Sequence, residues 1–174
     1  APPASSKSAA ALQPIDHAIP IKDVTEADIK IRLPYGALSI DRQSQDLLIG
    51  RFYSGQGGEP DIEFSQCDGK ASIFMRQMLT QRKDKSTSWN LKLNDSLPLG
   101  LTIDTSGGSQ ELNLAALDIS KLSLTSLGGA SHIDLSSTHT HLQQVLVKKS
   151  NGHTFMDLSG EYPLLEKLDT KVVT

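Results

Sequence analysis

The sequence predicts an all-β protein whose strands coil into a parallel β-solenoid, and three observations carry that expectation. A five-position pattern of apolar residues and glycine returns after 21 and then 23 residues in the second half of the chain. Within each unit apolar and polar residues alternate, which is the period of a strand whose side chains point to opposite faces. No segment sustains a 3.6-residue period, so no helix is expected.

Leu101, Ile103, Gly108, Leu112 and Leu114 define the unit. Leu122, Leu124, Gly129, Ile133 and Leu135 repeat it, as do Val145, Val147, Gly152, Met156 and Leu158. Upstream, Ile62, Phe64, Gly69, Ile73 and Met75 keep the same spacing, while Ile29, Ile31, Gly36 and Ile40 keep four of the five places, with Arg42 in the last. Leu91 and Leu93 of "WNLKL" precede Leu112 and Leu114 by 21 residues and add one further strand. Between the two arms lie Gly107 and Gly108, Gly128 and Gly129, or Asn151 and Gly152. A turn that needs positive φ takes glycine there, with Asn as the usual substitute.

Two arrangements can use such units. Successive hairpins make an antiparallel β-sandwich, whereas a coil advancing one strand spacing per unit makes a parallel solenoid. A repeat of about 20 to 25 residues with equivalent strands once per period favours the coil. Leu101, Leu122 and Val145 then form one buried stack, and Leu112, Ile133 and Met156 another, each side chain contributing roughly 1.5 to 3 kcal/mol.

At 174 residues the chain suits one domain with a sizeable core, built mainly from Leu, Ile and Val because there are only one Trp, three Tyr and four Phe. The formal net charge of −3 argues against nucleic acid as a partner, which demands a basic face. Cys67 is the single cysteine, so an intrachain disulfide and a cysteine zinc site are both excluded. No run of about 18 apolar residues is present to span a membrane as a helix. The opening "APPASSKSAAALQP" reads as the processed start of an exported protein or a trimmed chain. Residues 1 to 28 are expected to form a mobile leader and residues 29 to 174 one domain, irregular over 29–98 and regular over 99–174. The charged "QRKDKSTS" (81 to 88) marks an exposed loop.

The stretch "WNLKLNDSLPLGLTIDTSGGSQELNLAALDISKLSLTSLGGASHIDLS" (89 to 136) has a Trp strand, an entry at Leu97, Pro98 and Leu99, and paired glycines followed by "LNL" and "IDL". In this order the features resemble the toast-rack family of bacterial envelope proteins. "YGALSID" and "CDGKASIFMRQ" look like the amino-terminal module of that family, and the resemblance extends over residues 29 to 174. It implies a right-handed, single-stranded β-solenoid and an adhesin-like or envelope-stress role outside the cytoplasm. The family pattern contains no catalytic set, so none is carried onto this chain and no cofactor is expected.

Two groups of side chains invite a metal hypothesis. Asn113, Asp134 and Asp157 hold one offset of the repeat, so a coil aligns them as an outward ladder with steps of about 4.8 Å. Neighbouring aspartates repel one another unless a donor or a cation intervenes, and calcium is the ion that such oxygens would take. His139 and His141, in "THTH", share a face if that piece is a strand. The preferred expectation is a solvated face for the ladder and a polar turn for the histidines. "SGQGGEP" (54 to 60) lacks the ending of a phosphate loop, and "NDS" at Asn94 is a formal glycosylation sequon. The expectation is a non-catalytic extracytoplasmic interaction module whose partner is a protein or an envelope component, with the mode of membrane attachment open. The rival is a carbohydrate-active enzyme on the same scaffold, which requires a groove with two carboxylates about 5 to 10 Å apart.

Overall fold

The computed structural model describes residues 14–43, 45–53, 60–78 and 87–173. Residues 1–13 of the expected leader, 54–59 of the glycine-rich stretch and 81–86 of the charged loop lie outside the described residues. Within them the fold is all-β: β1 (Ile15–Ile19), β2 (Glu26–Leu33), β3 (Ala37–Gln43), β4 (Leu48–Tyr53), β5 (Asp61–Cys67), β6 (Lys70–Arg76), β7 (Ser88–Asn94), β8 (Leu99–Thr105), β9 (Gln110–Asn113), β10 (Ile119–Ser126), β11 (Ala130–Asp134), β12 (Gln144–Lys149), β13 (His153–Asp157) and β14 (Lys167–Val172). One sheet, here the A sheet, runs β1, β4, β7, β3, β9, β11, β13. The B sheet runs β14, β12, β10, β8, β2, β6, β5.

The repeat determines the register of the second half. Leu122 pairs with Leu101 on one side and Val145 on the other, and Ile133 with Leu112 and Met156, all in parallel ladders. Five of these six residues are fully buried; Met156 is half-buried and packs against the core. Alternation explains why: every second residue of β2 and β8 turns inward, as does every second residue of β10 from Leu122 on, past the irregularity that follows Ile119, and burying those residues removes apolar surface from water. In the first half Trp89 and Phe52 fill the interior edge to face, with ring centroids 5.4 Å apart.

Successive arms of a unit enter different sheets, and a glycine makes each corner. Gly36, Gly108, Gly129 and Gly152 all have positive φ and stack one upon another. A Cβ on Gly129 would collide with the carbonyl oxygen of Gly108, and one on Gly152 with that of Gly129. The first glycine of each pair is under no such constraint: the nearest atom to a Cβ on Gly128 is 3.6 Å away. Asn151 stands at this unconstrained place, so the expectation that it supplies positive φ is corrected; Gly152 does.

The first half departs from the expected pattern in three ways. Ile62, Phe64, Ile73 and Met75 do not form a coil unit but a hairpin, with Ile62 opposite Met75 and Phe64 opposite Ile73 in antiparallel β5 and β6. Asp68 and Gly69 both take positive φ in its two-residue turn, which matches the twist of adjacent strands in a single sheet. Secondly, β2 and β3 are inserted between strands that follow one another in the chain. β2 lies between β6 and β8, and β3 between β7 and β9, so Ile40 separates Leu91 from Leu112. Thirdly, the boundary of the leader at residue 28 falls too late. β1 pairs antiparallel with β4, β2 begins at Glu26, and Ile19 and Ala27 are buried, so ordered structure starts within the segment expected to be mobile. Apolar residues too few to be noticed in a polar segment suffice when each lands on a preformed sheet edge. Pairing is antiparallel at β1, β4 and β7 and at β5 and β6, and parallel elsewhere, so neither the sandwich nor an all-parallel arrangement describes every strand.

Candidate functional site

The predicted ladder forms. Asp134 pairs in register with Asn113 on one side and Asp157 on the other, at the end of the A-sheet strands. Each aspartate turns its carboxylate onto the chain that leaves its own strand: Ser136 N–H donates to Asp134 Oδ1 at 2.9 Å and Ser159 N–H to Asp157 Oδ1 at 3.0 Å. Side-chain and backbone donation from Ser159, helped by the charge of His132, holds the Asp157 carboxyl below its ordinary value. Asn113 Nδ2 points toward Asp41 Oδ1 at 3.5 Å, so an amide lies between the carboxylates of Asp41 and Asp134. The donors that neighbouring carboxylates need are thus supplied by the chain.

His139 and His141 are not brought together. The piece is a turn and not a strand, and the two side chains diverge. His141 is exposed, with Nδ1 2.8 Å from Asp118 Oδ2. His139 is buried, stacked on Tyr162 with centroids 6.0 Å apart, and neither ring nitrogen has a hydrogen-bond partner. Burial pushes its pKa down, against the opposing pull of the Leu117 backbone, Asp118 and Asp134. Among the described residues no group of three or more His, Cys, Asp or Glu is placed to hold a metal. His132 instead meets Glu111 Oε1 at 2.8 Å and packs edge-on against Phe155. Asn94, the formal sequon, is fully buried, and its side chain donates to the Asp46 carbonyl.

One buried polar chain was not anticipated. Lys149 is almost fully buried and donates from Nζ to Ser131 Oγ at 2.9 Å and to the His153 carbonyl at 2.7 Å. Ser131 donates to Gln110 Oε1, and Gln110 Nε2 to the Gly108 carbonyl, so the chain of bonds runs through successive glycine corners. Burial lowers the Lys149 pKa. The signal was present in the alternation: Val145, Val147 and Lys149 share a parity, so a lysine following two inward valines must also point inward.

Shallow clefts lie on the outside of the sheets. One, about 650 Å³, sits beside one corner and is lined by Arg32, Tyr35, Arg76, Gln77, Asp104 and Ser106, among others. A second, of about 480 Å³, crosses β1, β4 and β7 with Asp16, Arg51, Tyr53, Asn90 and Lys92 in its walls. Arg51 Nε holds Asp16 at 2.8 Å, and that hydrogen bond depresses the Asp16 pKa. A third, about 450 Å³, has Phe74 in its wall, and the cations of Lys30 and Arg76 lie 5.8 and 5.7 Å from the ring centroid. Each cleft presents one carboxylate, Asp104, Asp16 or Asp28, in a wall that also contains a lysine or arginine. No helix among the described residues is long and apolar enough to cross a membrane.

Comparison with known proteins adds a family. The profile of the N-terminal domain of toast_rack matches residues 8–154. No curated protein matches the sequence. Among solved structures, a Clostridium sporogenes protein proposed to act in cell adhesion superposes with a TM-score of 0.64 at 14% identity, over 91% of this chain and 99% of that one. A Parabacteroides merdae protein proposed to be an adhesin aligns over 93% of this chain and 97% of its own, at 8% identity and a TM-score of 0.29. The former likeness is one of fold.

Proposed function

The chain belongs to the family of the N-terminal domain of toast_rack, and from that premise we propose that it is a non-catalytic, adhesin-like interaction module of the bacterial envelope, working outside the cytoplasm. Its scaffold, on this reading, is a right-handed β-solenoid with a strand-exchanged, hairpin-decorated first half. A role in envelope-stress sensing belongs to the same proposal: the occupied face would be what a sensor reads.

The observation that carries the reading is the layout of the outer faces. Residues of one kind of environment stand in columns across the strands, as with Asp16, Arg51, Asn90 and Ser39 on the A sheet, giving extended polar surfaces with shallow clefts. Such a layout presents many weak contacts to a large partner, whereas catalysis needs unlike groups converging on one point. The single carboxylate in each of these three clefts, set among cations, supports binding over the two-carboxylate chemistry of a glycoside hydrolase there. The chemistry of the second cleft, an aromatic ring beside an amide and paired charges, suits a polar envelope component.

The test is a pull-down of envelope fractions by the purified chain, compared with the Tyr53→Ala and Lys92→Glu variants. Tyr53 is half-buried and Lys92 exposed, so both variants should fold. A loss of binding of about five- to thirtyfold is expected for each variant, in line with removing one interface anchor worth about 1 to 2 kcal/mol. Retained binding in both would move the surface elsewhere. Turnover of envelope polysaccharide, lost on changing Asp16, Asp28 or Asp104 to Asn, would overturn the non-catalytic reading.

A further inference from the structure

The outer face of the B sheet is low in the middle and high on both sides. The outward residues of β8 are Gly100, Thr102 and Asp104, and those of β10 beside them are Ser123 and Thr125, so short side chains make the floor. The flanking strands carry long ones: Asp28, Lys30 and Arg32 on β2, and Gln144, Leu146 and Lys148 on β12. Lys121, in register with Gly100, closes one end. Because β8 and β10 lie between β2 and β12, the trough is about 14 Å wide between the wall backbones and about 13 Å long from Gly100 to Asp104.

Its walls carry cations without counter-charges. Lys30, Arg32, Lys121 and Lys148 are exposed and make no ion pair among the described residues. The neighbouring cations differ: Arg76 holds Asp61 and Glu63, and Lys70 is shared by Glu26 and Asp28. β10 and β12 contain no carboxylate, which leaves Asp104 as the unpaired acid at the open end. The outer face of the A sheet is the opposite, with Asp41, Glu111, Asp134 and Asp157 on the adjacent strands β3, β9, β11 and β13. In a sequence of net charge −3 these lysines are scattered, and stacking the units gathers them on one face. An anion is thereby drawn to the B face and repelled from the A face.

We propose that the trough binds an acidic polysaccharide, a chain of sugars bearing carboxylates, laid along β8 and β10. Lysines offer point charges on flexible stems, which suits carboxylates spaced along a polymer better than one fixed, bidentate partner. The hydroxyls of Thr102, Ser123 and Thr125 both donate and accept, as sugar hydroxyls do, and Asp28 in the wall accepts from the same groups. Single-stranded nucleic acid needs rings on which bases stack, and Phe74 on β6 is flanked instead by the cations of Lys30 and Arg76. The proposal draws on the envelope reading only for where such a polymer is met. It uses the face opposite Tyr53 and Lys92.

The experiment is isothermal titration of the full chain with polygalacturonate, compared with dextran, inorganic polyphosphate and duplex DNA. Polygalacturonate should bind, about tenfold more weakly at about 200 mM salt than at about 50 mM, and neutral dextran should not. Lys30→Glu and Lys148→Glu, at exposed positions, should each weaken binding about tenfold with the melting temperature unchanged, whereas Lys148→Arg should retain it. Ser123→Tyr fills the floor without altering charge and should abolish binding; should that variant fold poorly, Thr125→Tyr, at an exposed position, serves instead. Lys92→Glu should change nothing here, so failure of this proposal is distinguished from failure of the surface that Lys92 tests. No binding of polygalacturonate, or undiminished binding in the folded tyrosine variant, would overturn the proposal. Tighter binding of polyphosphate or DNA would overturn it too, because charge alone would then be what this face reads.

Discussion

Gly128 and Gly129 look alike in the sequence, but only the second has no alternative. Gly129 has φ of 86° and sits under the carbonyl of Gly108, whereas Gly128 has room for a Cβ. Gly129→Ala is therefore expected to cost about 3 kcal/mol or more, combining the strain of positive φ with a backbone collision. Gly128→Ala should change stability by about 0.5 kcal/mol or less, and urea denaturation of the two variants compares them directly. His139 offers a second test at this scale. Its pKa is lowered by burial, so the unfolded chain binds its proton more readily than the folded one as pH falls through 6.5, the ordinary value. The folded state loses stability below about pH 6.5, progressively toward the lowered pKa, and retains it above. His139→Phe, which can keep the stack on Tyr162, should flatten the fall in melting temperature between neutral and mildly acid pH; an unchanged pH slope would mean that another group titrates there. At this scale the sequence was a fair guide where alternation applied and a poor one in turns: Asp134 and Asp157 align as expected, whereas nothing in "THTH" distinguishes a buried histidine from an exposed one.

At the scale of elements, a symmetry hides the difference between a coil corner and a hairpin. The apolar offsets of the unit read the same from either end, since Leu101 is to Leu114 as Ile103 is to Leu112. A chain that turns back within one sheet and a chain that turns into the facing sheet therefore leave the same apolar signature. Only the turn chemistry separates them: Asp68 and Gly69 form a two-residue turn with both residues at positive φ, while the corners use one such glycine in a longer bend. The dipeptide was legible and favours a hairpin by itself. The leader shows a different kind of miss. β1 and the start of β2 are ordered because β4 and β8 offer them edges, not because their own composition demands structure. Truncation through residue 28 is accordingly expected to lower the melting temperature sharply, by removing Ile19 and Ala27 from the core and the first three residues of the strand that separates β6 from β8. Ile19→Ala alone should cost about 2 to 4 kcal/mol. A truncated chain with unaltered melting would show that β1 contributes no net stability.

Across the whole molecule, alternation and a period of 21 to 23 residues were enough to determine an all-β fold, the inward residues and the parallel register of β8 to β13, because each depends only on neighbouring units. The resemblance carried by the Trp strand and the paired glycines led to the family for the same reason, since its motifs sit within those units. The insertion of β2 and β3 between later strands was decided by tertiary structure alone. A strand with an alternating inward face can pair with any matching edge, and Ile29 fits equally between Ile73 and Leu101 as it would at the start of a regular stack. Periodicity specifies which face of a strand is buried but not which strand lies beside it. In the assembled sheets the antiparallel strands β1, β4 and β7 lie at one end of the A sheet and the β5–β6 hairpin at one end of the B sheet, with β2 and β3 inside them. The exposure of Leu168 and Val172 is likewise a property of the assembled sheets: they obey the same alternation as Val145 and Lys149, but among the described residues no strand faces them across the core.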